Sequence, residues 1–154
     1  IDDVKAAEEK FKAYMEKAKA GDPVAQTGLG VMYYIGEAVS KNQAGQILET
    51  DPEMAAGWFY RAAEQGYADA QFNLGLLYAN GEGVPQDMQQ AVALFKKAAE
   101  QGHVDAQNNL GALYFTGEGV ERDEKKAVEW FEKAAAHGNE EARKNLEAIK
   151  ASQK

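Results

Sequence analysis

Apolar positions along this chain recur at intervals of three and four and are broken by glycine. Over 68–80, Ala70, Leu74, Leu77 and Tyr78 follow the i, i+4, i+7, i+8 spacing of one helix face. Gly81-Glu82-Gly83 then stops the helix, because glycine takes the left-handed cap conformation at little steric cost. A second helix is predicted over 87–101. Asp87 is its N-cap, Gln90 stands three residues on to complete a capping box, and Ala91, Phe95, Ala98 and Ala99 form the buried stripe. Gly102 ends it. β-branched residues are scarce and period-two alternation is lacking, so strands are not expected.

This helix pair repeats. Ala70-Gln71-Phe72-Asn73-Leu74-Gly75-Leu76-Leu77-Tyr78 returns 36 positions later as Ala106-Gln107-Asn108-Asn109-Leu110-Gly111-Ala112-Leu113-Tyr114. Gly66, Gly102 and Gly138 keep the same step. An earlier copy, Ala25-Gln26-Thr27-Gly28-Leu29-Gly30-Val31-Met32-Tyr33, stands 45 positions before the second and so carries nine extra residues, which fall between Val39 and Asp51. The positions kept in all three copies are mostly small or aromatic: Gly30/Gly75/Gly111, Tyr33/Tyr78/Tyr114, Ala55/Ala91/Ala127 and Phe59/Phe95/Phe131 among them. Small residues let helices approach, and the rings fill the space between. Units that bury their apolar faces only against neighbours stack as a solenoid.

One solenoid domain over 1–154 is therefore expected. Residues 1–20 form a flanking helix with a stripe of Val4, Ala7, Phe11, Tyr14 and Ala18, in the slot of a second helix. Residues 21–66 are a repeat with the nine-residue insertion, 67–102 and 103–138 are repeats, and 139–154 is a capping helix. In the cap the repeated Gly and Tyr become Glu147 and Lys150, a polar face with no further helix to bury.

Leu74-Gly75-Leu76-Leu77-Tyr78-Ala79-Asn80-Gly81-Glu82-Gly83-Val84, its copy from Leu110 to Val120, and the Lys-Ala-Ala-Glu-Gln-Gly ending at Gly102 together resemble the Sel-one-like repeat family, a relative of the tetratricopeptide repeats. The resemblance covers residues 21–151. It implies an all-α fold, a right-handed α/α superhelix of helix-turn-helix repeats. It implies an adaptor that holds a partner protein or peptide on a concave groove. Many bacterial members are periplasmic or secreted, and some neutralise a toxin or effector enzyme as immunity proteins. The first copy departs from the pattern at Ala38, where the other copies have Gly83 and Gly119. The per-repeat disulfide of some members has no counterpart, since the chain has no cysteine.

In the tetratricopeptide relatives, the first-helix positions facing away from the second helix line the groove. The matching residues here are Tyr34 and Ile35, then Phe72, Asn73, Leu76 and Asn80, then Asn108, Asn109, Phe115 and Thr116. Amides can bond a peptide main chain, and aromatics supply anchor area. The inserted stretch 40–50 reads either as a partner-contacting lobe or as a surface loop, since lengthening a loop costs little. Asn42, Gln43, Gly45 and Gln46 look loop-like there, beside the apolar Ile47 and Leu48.

Composition narrows the partner. A net charge of −8 over 154 residues argues against nucleic acid, whose phosphates call for a basic patch. No apolar run reaches membrane-spanning length, so membrane insertion is not expected. No cofactor or metal is called for: Asp-x-Asp-x-Asp-Gly does not occur, and Gly81-Glu82-Gly83-Val84 follows a helix and not a strand, unlike a phosphate loop. His103 and His137 sit beside glycines at helix ends, where the dipole or an exposed turn explains them. Glu37, Glu82 and Glu118 recur once per unit, as turn residues do. A hydrolase acting on cell-wall or glycan substrates would need convergent carboxylates, and no such pair is apparent, so the expectation is a non-enzyme and a monomer.

Overall fold

The computed structural model describes residues 2–37, 40–41 and 47–153. Eight helices follow in order: α1 Asp2–Lys19, α2 Pro23–Ile35, α3 Pro52–Glu64, α4 Ala68–Asn80, α5 Met88–Glu100, α6 Val104–Thr116, α7 Glu124–Ala136 and α8 Glu140–Ser152. Each packs on the helix before it and the helix after it. That is the α/α solenoid expected from the repeat. The inserted stretch adds what periodicity did not predict. β1 Ser40–Lys41 and β2 Ile47–Leu48 pair antiparallel, with Ser40 opposite Leu48 and Lys41 opposite Ile47. Strands this short leave no alternation to read. Ala38 and the loop-like Asn42, Gln43, Gly45 and Gln46 lie outside the described residues, as does the side chain of Val4.

The helices form where the caps are. Asp22, Asp51, Asp87 and Asp123 precede α2, α3, α5 and α7, and each carboxylate accepts from a backbone N–H of the first turn. The capping box at Asp87 is only half realised. Asp87 accepts from the Gln90 N–H at 3.1 Å, but its own N–H donates to the Tyr78 carbonyl at 2.9 Å. Asp51 and Asp123 do the same to Tyr33 and Tyr114. The repeated Tyr thus gives its carbonyl to the start of the next helix, which fixes the turn of the pair.

Inside a unit the two helices are locked by a glycine and a ring. A Cβ on Gly75 would stand 2.7 Å from the Phe95 ring, and one on Gly111 would stand 2.8 Å from Phe131. Gly30 and Phe59 make the same approach. The rings are buried, so this contact sets how closely the helices pack.

Between units the joint is polar. Gln26, Gln71 and Gln107 are buried and each donates its amide to a carbonyl eight residues back: Ala18 at 3.0 Å, Ala63 at 3.5 Å and Ala99 at 3.1 Å. The first bond shows α1 in the second-helix slot of a preceding unit. Phe11 lies edge-on to Tyr33 at 5.8 Å, and Tyr14 packs over Gly28. Ala7, assigned to the same stripe, is exposed, and Met15 packs in its stead. The amide oxygens of Gln26 and Gln71 accept from Gln65 and Gln101 at 3.0 and 2.8 Å. In the third unit the corresponding residue is His137, whose ring turns to the Lys133 carbonyl at 2.9 Å. The Gln107 oxygen is left buried without a partner.

Candidate functional site

The first helices of the units, α2, α4 and α6, together with α8, lie side by side, and clefts open between them. One lies between α2 and α4, a cleft of about 260 Å³. Val31 and Tyr34 line one wall and Asn73, Leu76, Leu77 and Asn80 the other, over Phe59 of α3. A second, of about 410 Å³, lies between α6 and α8. Ala112, Phe115 and Thr116 face Glu141, Asn145, Ala148, Ile149 and Ser152 there, over Phe131. The two clefts are built from equivalent positions two repeats apart.

Four of the residues expected to line a groove, Tyr34, Asn73, Leu76 and Asn80, therefore meet in the first cleft. Phe115 and Thr116 meet in the second. Ile35 is 54% exposed beside the first cleft and does not line it. Asn109 is half-buried on α6, one repeat after Asn73. Asn108 stands apart: only 4% exposed, it lies beneath the surface with its carbonyl oxygen 3.5 Å from the Asn145 amide. Phe72, one repeat earlier, is half-buried too. Its ring stacks on His103 at 4.5 Å and tilts against Phe95 at 5.7 Å, so packing alone accounts for an aromatic at that position.

Sequence reasoning missed the floors, Phe59 and Phe131, and the α8 wall. Asn145 was within reach, since continuing the step from Asn73 through Asn109 lands on it.

The ends of the first cleft are polar. The Tyr34 hydroxyl donates to the Glu82 carboxylate at 3.0–3.1 Å, and the Asn80 amide donates to it at 3.2 Å. Tyr34 belongs to the first unit and Glu82 to the second, so this bond closes one mouth across the joint. It also raises the Tyr34 pKa above 10.0, through the hydrogen bond first and then through partial burial and the carboxylate's charge. At the N-terminal end of α4, Asp69 stands one turn before the cleft-lining Asn73 and faces His103, which caps α6. Its Nδ1 accepts from the Ala106 N–H at 3.1 Å, which leaves the proton on Nε2, 3.1 Å from Asp69 Oδ1. Asn139 caps α8 and reaches Asp105 at 3.4 Å in the same way. Among the described residues, no group of three or more His, Cys, Asp or Glu could hold a metal ion, and no helix is long and apolar enough to cross a membrane.

The repeat geometry is recognisable in known proteins. The Sel1 repeat profile matches residues 23–67, 68–103 and 104–139. The chain belongs to the Sel1 repeat family. Sel1 repeat proteins are generally scaffolds for protein–protein interaction. A Sel1 repeat protein from Oxalobacter formigenes superimposes with a TM-score of 0.75 at 38% identity, over 89% of this chain and 96% of that one. The protective antigen c5321 of uropathogenic Escherichia coli strains, with an SLR fold, gives a TM-score of 0.75 at 43% identity over 86% of this chain. The chitin synthase regulator SKT5 of Saccharomyces cerevisiae is 37% identical over 76 residues. This chain spans 26% of the antigen's chain and 10% of the yeast regulator.

Proposed function

We propose that the chain is a non-catalytic scaffold that holds a partner polypeptide on the face formed by α2, α4, α6 and α8. The observation that carries this is the α2–α4 cleft. Val31 and Tyr34 are each 38% exposed there, and Leu76 and Leu77 oppose them over a phenylalanine floor. A small apolar recess edged by amides suits a side-chain anchor with main-chain bonds around it. Tyr34, Asn73, Leu76 and Asn80 form this anchor site. Phe115, Thr116 and Asn109 extend the surface along the array, and Ile35 adds apolar area at its edge. Phe72 and Asn108 act from below, by holding the walls. That the yeast relative is named a regulator of another enzyme accords with this reading.

The test compares wild type with Leu76→Arg as baits in the source organism's extract. Each captured protein is then purified and titrated against both. A protein that binds wild type and is lost by a folded Leu76→Arg supports the scaffold reading. Equal binding to both baits removes the cleft from consideration.

A further inference from the structure

The charges around the α2–α4 cleft are one-sided. The helices α2, α4 and α6 contain no Lys and no Arg, and their only charged residues are Asp69 and Asp105. Among the described residues the cations lie instead on α1, on the second helices and α8, and in the connections. The acidic groups take fixed stations. Asp69 stands in the first turn of α4, and Glu141 takes the equivalent place on α8, where it lines the second cleft. Glu82 stands just past the C-terminus of α4, in contact with the cleft-lining Tyr34. The first cleft therefore runs from the Asp69 end of α4 toward Glu82 with neutral walls between. The two stand thirteen positions apart along α4 and its cap, about 20 Å at ~1.5 Å per residue.

These carboxylates are not cancelled locally. The Asp69 side chain is 61% exposed and meets the His103 imidazole N–H and the Tyr67 phenol; Glu82 meets a phenol and an amide. The C-terminal end of α4 adds the negative pole of its dipole beside Glu82. Among the described cations, Lys10 reaches Glu37 at 3.9 Å, and Arg122 lies over the Phe115 ring at 5.5 Å while pairing with Glu124 at 3.6 Å.

We infer that the occupant of the α2–α4 cleft is an extended polypeptide segment with an apolar side chain at its centre and Lys or Arg toward both ends. The apolar group fills the recess over Phe59. The cations reach Asp69 at one mouth and Glu82 at the other, and the Asn73 and Asn80 amides face the main chain between. An acidic segment would meet like charge at both mouths, so the arrangement selects by repulsion as well as attraction. This inference rests on the reading of the cleft as the binding site and adds the chemistry of its ligand.

The test uses the full chain and an array of synthetic peptides of about ten residues, long enough to span ~20 Å when extended. A central Leu or Phe is flanked by Lys/Arg, by Gln/Ser or by Asp/Glu. Hits are titrated against wild type, Leu76→Arg and the double variant Asp69→Asn/Glu82→Gln. The double variant keeps oxygens that accept from His103 and Tyr34, and circular dichroism checks each fold. The expected result is binding of the Lys/Arg-flanked set, weakened about tenfold or more by the double variant, weakened by added salt, and abolished by Leu76→Arg. If the three sets bind alike, and only Leu76→Arg matters, the charge inference falls and the scaffold reading stands. If no set binds, or binding ignores Leu76→Arg, both fall.

Discussion

At Gly75 two effects of one methyl group oppose each other. Alanine in a helix interior gains about 1 kcal/mol over glycine in propensity. Here the new carbon would stand 2.7 Å from a ring that is itself buried and cannot swing away. Overpacking of this kind costs about 1–3 kcal/mol. Gly75→Ala is expected to lower the melting midpoint, and a rise would show that Phe95 has room to move. Gly83 is worse placed. Its φ of 72° favours glycine, and a Cβ would also collide with the Pro52 carbonyl of the preceding unit. The sequence pattern pointed to a left-handed turn, worth about 1 kcal/mol on substitution by alanine. The backbone contact with α3 raises the expected loss above that, as measured by urea denaturation. His137→Gln should act in the other direction. It restores the donor that Gln65 and Gln101 supply elsewhere and satisfies the buried Gln107 oxygen, a gain of about 1 kcal/mol.

Tyr34 makes a prediction of a different kind. A phenol whose folded pKa lies above its unfolded value holds its stabilising bond fully below pH 10 and loses it as the pH rises through the folded pKa. The difference spectrum between wild type and Tyr34→Phe should therefore show phenolate appearing above pH 10.0. In a Glu82→Gln background that appearance should move to lower pH. No movement would mean that the bond across the joint does not form in solution.

Among the elements, the helix pairs were readable because three copies solve one packing problem in one chain. The step of 36 exposed the Gly–Phe lock, the Asp caps and the αL glycines without any alignment. The glutamine rung was visible as a kept residue but not as a joint. Its acceptor is a backbone carbonyl eight residues back, and its second partner lies 30 or 39 residues away, so no local spacing reveals it. The site was readable in direction and not in depth. Helical periodicity places Asn108 and Phe72 on the outward face by angle, yet their depth depends on how near the next first helix lies, which the spacing of one helix cannot give. The β1–β2 hairpin was unreadable for a simpler reason: two residues per strand carry no alternation.

For the whole molecule, stability is a chain of nearest-neighbour joints. The joints are not equal. Gln26, Gln71 and Gln107 clasp the helix before them, but the same station on α8 is Arg143, which pairs with Glu140 and Glu147 on its own helix at 2.8 and 2.6 Å. Hydrogen exchange should therefore run fastest in α8 and slowest in α4 and α5, with α1 between them. Equal protection across α8 and α4 would show that the apolar contacts outweigh the polar joints.

The clasp also gives the array a direction. In each glutamine joint a later unit supplies the side chain and the earlier one supplies only a helix-end carbonyl. Cut the array from the front and the glutamine of the first surviving unit loses both its acceptor and the helix that covers it. Cut it from the back and the loss is a carbonyl that water can serve. Such a structure tolerates lengthening and shortening at its tail far better than at its head, so changes in repeat number should be cheapest at the C-terminal end.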